Sequence, residues 1–199
     1  MKLKNLFFVL FSFILVFSPL SAEVKKQDKA KYVFFFIGDG MGIAEINATE
    51  AYLMAKKGKV GVEHLEFSKF PNVSLVTTYA VDRYVTDSAA AGTALATGNK
   101  TSVETIGMDR YGKKKFVSMA ELAKKAGMKV GIISTVNIND ATPSAFYGHQ
   151  PHRKMHKELA QDLLNSGYDF FGGGGIKNAD ISSQLKEKGY IVTNTKKDF

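Results

Sequence analysis

Apolar residues along this chain fall into two alternating spacings, and the alternation predicts the architecture. Short continuous apolar runs at 32–37, 74–80, 130–135, 169–171 and 190–193 have the length and the β-branched or aromatic content of buried strands. Between them, apolar positions three and four apart predict helices over 43–56, 88–97, 116–126, a pair around 143–166, and 179–188. Ile43, Ile46, Leu53 and Met54 share one face of the first helix, the pattern of core packing. Met155, Leu159 and Leu163 recur every four residues and predict a helix from near Pro151 to Gly167. Residues 105–115 read as a hairpin around Tyr111-Gly112. Strands alternating with helices predict an α/β fold: a mostly parallel sheet sandwiched by helices.

Polar residues become informative where they interrupt this pattern at the ends of predicted strands. Residues 85–98 place Ser88 beside Asp87 at the start of a helix of very small residues, with Asp87 as N-cap and Gly98 just past the end. A helix start favours an oxyanion or an anionic ligand such as phosphate; an ordinary capped helix packed under a sheet is the alternative. The run 32–37 leads into Gly38-Asp39-Gly40-Met41-Gly42, which sets a carboxylate at a strand's carboxyl end, the ligand-binding edge of open α/β sheets. A tight Asp-Gly turn would give the same residues, and the glycine spacing does not match a dinucleotide fingerprint. After 130–135 come Asn139-Asp140-Ala141-Thr142-Pro143, where Thr142 reads as an N-cap before Pro143. The oxygens of Asp140 and Thr142 suit magnesium. His152, Arg153 and Lys154 then fall in the first turn of the next predicted helix, the wrong end for cations unless an anion visits. A guanidinium matches two phosphate oxygens, which makes Arg153 the best clamp candidate.

Taken together, Phe36-Ile37-Gly38-Asp39-Gly40-Met41-Gly42, Asp87-Ser88-Ala89 with its small-residue helix, and Asp140-Ala141-Thr142-Pro143 resemble the alkaline phosphatase family. Arg153 stands thirteen positions after Asp140, the offset that family uses for its phosphate-binding arginine. The similarity runs from about Lys31 to the carboxyl terminus. It implies two zinc ions and one magnesium ion, with Asp39 bridging one zinc and the magnesium. It further implies Ser88 as a nucleophile on zinc, giving a phosphoseryl intermediate. Thr142 would ligate magnesium, Asp140 would hold that ion's water shell, and Arg153, steered by Asp87, would bind phosphate. The implied substrates are small-molecule phosphate monoesters, and the resemblance also admits a homodimer. Full-length members draw further Asp, His and Glu ligands from a carboxyl-terminal half, so 23–199 reads as a partial catalytic domain with its carboxyl-terminal part missing. Inactivity of the chain alone is the consequence. His149, His152 and His156 have helix-compatible zinc spacing, but Pro151 interrupts them and a solvated basic segment explains them better. A phosphodiesterase or sulfatase-type relative and a non-catalytic phosphate binder are the alternatives; Ser88 with Arg153 favours the monoesterase.

Charge and the amino terminus supply the address. Lys2 and Lys4 precede an apolar run over 6–17 and then Ser18-Pro19-Leu20-Ser21-Ala22, which reads as a signal peptide, residues 1–22. The run is short for a membrane span, so no stable span is expected after cleavage. With no cysteine, an exported protein without disulfides fits a bacterial envelope, periplasmic or extracellular. The chain has 27 basic and 19 acidic residues, a net +8, which falls to +6 once Lys2 and Lys4 leave with the leader. That balance draws in anionic substrates. Nucleic acid is not an expected partner, because no basic stripe is interleaved with aromatics.

Overall fold

The computed structural model describes residues 30–195. The chain divides into two compact units, Met1–Gly38 and Asp39–Phe199. In the first, the predicted strand 32–37 forms no ladder among the described residues. The predicted leader lies outside them.

The second unit carries, in order, α1 (Ile43–Lys56), a 3-10 turn (Glu66–Lys69), α2 (Ser88–Thr97), α3 (Met119–Lys125), β1 (Gly131–Ile133), α4 (Ala141–Ser144), α5 (His156–Ser166), β2 (Phe170–Gly172) and α6 (Ser182–Glu187). The two strands pair in parallel, Gly131 opposite Phe170 and Ile133 opposite Gly172. The class is therefore α/β with a parallel sheet and helices, and the sheet among the described residues is small. Crossing from β1 to a parallel β2 requires a long connection, which α4 and α5 provide.

Local chemistry explains most of the boundaries. Asp87 Oδ1 accepts the Ala90 amide at 2.9 Å, and Gly98 ends α2 in the left-handed conformation (φ 71°). Ser118 caps α3: its Oγ accepts the Glu121 amide at 3.1 Å while Glu121 Oε2 takes the Ser118 amide at 2.7 Å. The core sits directly below the ends of these elements. Ala89, Ile106, Ala141 and Leu159 form one fully buried cluster joining α2, the 101–108 segment, α4 and α5. Gly92 lets α2 approach α4, since a Cβ there would stand 3.1 Å from Ala145 Cβ. A second layer is aromatic. Phe171 of β2 meets Tyr147 edge-on at 5.8 Å and stacks on Tyr168 at 6.1 Å. Burial raises the Tyr147 phenol and pushes that of Tyr168 up to about 12. Both hydroxyls are satisfied at 2.7 Å, by the Ile138 and Phe146 carbonyls.

Several expectations need correction. Residues 74–80 and 190–193 form no strand among the described residues, and Leu75 and Val76 are 90% and 74% exposed. An apolar run becomes a strand only when neighbours pair with its backbone on at least one side. Residues 105–115 make a turn with one antiparallel bridge, Met108 with Lys115, rather than a full hairpin. On α1, Ile43 is 80% exposed and Leu53 and Met54 are half-buried, so its apolar stripe is not a core face. Asp140, not Thr142, caps α4, its Oδ1 accepting the Ala141 amide at 3.0 Å. Helix α5 begins at His156, so His152, Arg153 and Lys154 precede it and the supposed cation–dipole conflict disappears.

Candidate active site

Two clusters of side chains meet where α2 and α4 begin. In the first, Asp39 receives one hydroxyl on each carboxylate oxygen. Ser88 Oγ donates to Oδ1 at 3.3 Å, and Thr142 Oγ1 donates to Oδ2 at 2.7 Å. Residues 49 and 103 positions away in sequence are thus gathered on one carboxylate. In the second, Arg153 lies between two acids. Its Nη1 donates to Asp87 Oδ2 at 3.1 Å, and its Nη2 stands 3.7 Å from Asp140 Oδ1. The clusters are joined covalently, because Asp87 precedes Ser88 at the start of α2 and Asp140 lies two residues before Thr142 at the start of α4. All six predicted site residues, Asp39, Asp87, Ser88, Asp140, Thr142 and Arg153, therefore share one rim.

Asp87, Arg153 and the loop of Asp140 are held by further contacts. Asp87 uses one oxygen for the α2 cap and the other for Arg153 and the Glu104 amide, the latter at 3.1 Å. Arg153 and Asp87 side chains are 27% and 22% exposed, so their ion pair is partly desolvated and stronger than a surface pair. The loop bearing Asp140 is held by Asn139, which is fully buried. Asn139 Nδ2 donates to the His156 and Lys177 carbonyls at 2.9 and 2.8 Å, and its Oδ1 accepts the Lys177 amide at 2.8 Å. Sequence reasoning missed Glu104 and Asn139. Asn139 stood inside the quoted motif, and a polar residue at the end of a strand beside the site was the available signal.

The donor set can be tested against the metals the sequence implied. Asp39 and Thr142 present a carboxylate and a hydroxyl 2.7 Å apart, with Asp140 on the same helix start; hard oxygen donors of this kind suit magnesium. Zinc does not fit in the same way. Among the described residues no three His, Cys, Asp or Glu side chains gather to hold a metal of either kind, and zinc lacks its favoured nitrogen donors as well. The histidines are engaged elsewhere: His64 with Glu50, His149 with the Phe116 carbonyl, His152 with Glu104 and His156 with the Asn139 carbonyl. The resemblance places Asp39 and Ser88 at zinc, and the four histidines, each engaged elsewhere, supply no nitrogen ligand there.

A hydroxyl at a helix start, a carboxylate that accepts from it and a guanidinium on the same rim form a donor set suited to a tetrahedral anion such as phosphate. Comparison with known proteins identifies the family. The family described as alkaline phosphatase matches residues 30–185. The chain is 42% identical over 173 residues to alkaline phosphatase 4 of Drosophila melanogaster, covering 83% of this chain and 28% of the relative. It is 36% identical over 192 residues to alkaline phosphatase 4 of Bacillus subtilis (strain 168), covering 88% of this chain and 41% of the relative. Among solved structures, a cold-active alkaline phosphatase from a psychrophilic Shewanella superimposes with a TM-score of 0.71 at 35% identity, over 79% of this chain and 40% of that one. The enzyme of the Antarctic bacterium TAB5 gives 0.70 at 30% identity, over 79% and 45%. A variant of the TAB5 enzyme has been solved with Mg bound. This chain belongs to the alkaline phosphatase family, and it spans less than half the length of each of these relatives.

Proposed function

We propose that the site hydrolyses phosphate monoesters through a covalent phosphoserine on Ser88. The observation that carries this reading is the convergence of Ser88 Oγ and Thr142 Oγ1 on Asp39 beside the Asp87–Arg153 pair. The Ser88 hydroxyl proton is directed at Asp39 Oδ1, which leaves the oxygen's lone pairs for attack on phosphorus. Arg153 faces the incoming group with donors already aligned by Asp87, so phosphate binding requires little ordering of a long side chain. Its charge offsets that of the equatorial oxygens as the ester bond breaks. The Ser88 ester then forms, the alcohol departs with a proton, and water hydrolyses the phosphoserine to regenerate the hydroxyl. Magnesium, held by Asp39 and Thr142 with Asp140 nearby, would supply a hard positive charge at the rim. Serine at position 88 favours this reading over a sulfatase or phosphodiesterase.

The same reading has the protein exported, with phosphate monoesters reaching it outside the cytoplasm, and it admits a homodimer. No helix among the described residues is long and apolar enough to cross a membrane.

The test is a chimera in which this chain is joined to the part of the Bacillus subtilis relative that it does not cover. With zinc and magnesium it should turn over an aryl phosphate in preference to an aryl sulfate or a diester, while this chain alone should not. A chimera that prefers the diester or the sulfate would overturn the reading. Turnover by the 199-residue chain alone would show that its own ligands suffice.

A further inference from the structure

Glu104 is one of two non-glycine residues with positive φ among the described residues, at 66°. A side chain there crowds the following carbonyl oxygen, and glutamate has no short polar group to offset this as asparagine has. Such a conformation persists only where its surroundings impose it. Here they do so from both ends of the peptide. The Glu104 amide donates to Asp87 Oδ2 at 3.1 Å, the same oxygen that receives Arg153 Nη1. The Glu104 carbonyl accepts the Arg153 amide at 2.7 Å. Flanking bonds hold the register: Val103 N to Asp82 Oδ1 at 3.0 Å, and Ile106 with Gln150 by a reciprocal pair at 2.9 Å each way. The side chain does separate work, pairing with His152 Nε2 at 2.9 Å on a rim where both are about two-fifths exposed.

We propose that Glu104 is a positioning residue whose left-handed backbone fixes the Asp87–Arg153 pair and so aims the guanidinium at the phosphate. One residue ties the guanidinium's partner with its amide and the arginine's own backbone with its carbonyl, setting both ends of the Arg153 side chain. A right-handed Glu104 would turn its amide from Asp87 or its carbonyl from the Arg153 amide, and so release one end of the Arg153 side chain. The aim at phosphate rests on the function proposed above; the backbone lock itself does not.

The test uses the 199-residue chain. Glu104→Gly and Glu104→Asn remove or shorten the side chain and keep the left-handed backbone accessible; Glu104→Val opposes it. Hydrogen exchange of the Glu104 and Arg153 amides reads the lock, with Leu159 and Leu163 in α5 reporting global folding. Both amides should stay protected in wild type, Glu104→Gly and Glu104→Asn. In Glu104→Val both should exchange faster by about tenfold or more while α5 stays protected. If the valine variant fails to fold, Glu104→Ala takes its place with a smaller loss. Inorganic phosphate binding should follow the same order, weakened by Val as by Arg153→Ala and spared by Gly. Retained protection in the valine variant, or equal loss in the glycine and valine variants, would overturn the proposal. Wild-type protein that shows the exchange pattern yet binds no phosphate would retain the lock and remove the function it is said to serve.

Discussion

Residues 87–166 and residues 43–79 have similar apolar content and opposite fates. In the first region Ile106 and Leu159 are fully buried, and every predicted site residue except Asp39 belongs to it. In the second, Ile43, Val73, Leu75 and Val76 are 74–90% exposed and the one buried residue is Glu50, held by His64 and the Leu65 amide. The difference lies in what covers them. Residues 87–166 fold back on themselves, so α2, α4 and α5 bury one another; residues 43–79 have apolar surface with little opposite it among the described residues. The residues proposed to bind phosphate thus lie in the self-sufficient region, and Asp39 reaches them through two hydroxyl contacts.

Substitutions should divide along the same line. Leu159→Ala empties the cluster beneath the site and should cost about 2–5 kcal/mol in urea unfolding, the largest effect outside the chemistry. Arg153→Ala should weaken inorganic phosphate binding by about 1.5–3 kcal/mol in titration calorimetry, with a smaller loss of stability because the half-buried Asp87 loses a partner. Ser118→Ala removes the α3 cap and a buried bond to the Phe146 carbonyl at 2.7 Å. It should cost about 1–2 kcal/mol, since that carbonyl keeps Tyr168 Oη. Ile43→Ser should stay within about 0.5 kcal/mol by the same unfolding measurement. A cost for Ile43→Ser near that for Leu159→Ala would erase the contrast between the regions.

Acid sharpens it further. Asp169 ties β2 to α3 through Lys124 at 2.7 Å, to the Val130 amide at 3.0 Å and to Lys129 at 2.9 Å, and these hold its carboxyl well below the ordinary range. A carboxyl depressed in the folded state contributes stability that is complete above the ordinary carboxylate pKa of about 4 and is lost as pH falls toward the folded value. Asp169→Asn should therefore lose stability at pH 7 and show a flatter decline below about pH 4 than wild type. Equal slopes in the two proteins would mean that Asp169 is not responsible for the acid limb.

What the sequence disclosed depended on how local the cause was. Helix α2 with Asp87 before it and Gly98 after it was legible to the residue, because both caps act within one turn. The start of α5 was misread: Met155 fits the four-residue apolar spacing, yet the Arg153 amide bonds to Glu104 rather than entering a helix. Thr142 and Asp140 competed for one cap, and Asp140 took it, freeing the Thr142 hydroxyl for Asp39. Residues 32–37 and 74–80 show that an apolar run records a need for burial and not its partner. Glu104 carried no signal, since its conformation is imposed by contacts distant in the chain.

Ser88 Oγ is the proposed acceptor of the phosphoryl group, and the direct measurement is acid-quenched turnover of the chimera followed by peptide mass mapping. One phosphorylated site, Ser88, is expected, and none in Ser88→Ala. Phosphate mapped to another side chain, or retained in Ser88→Ala, would contradict that assignment.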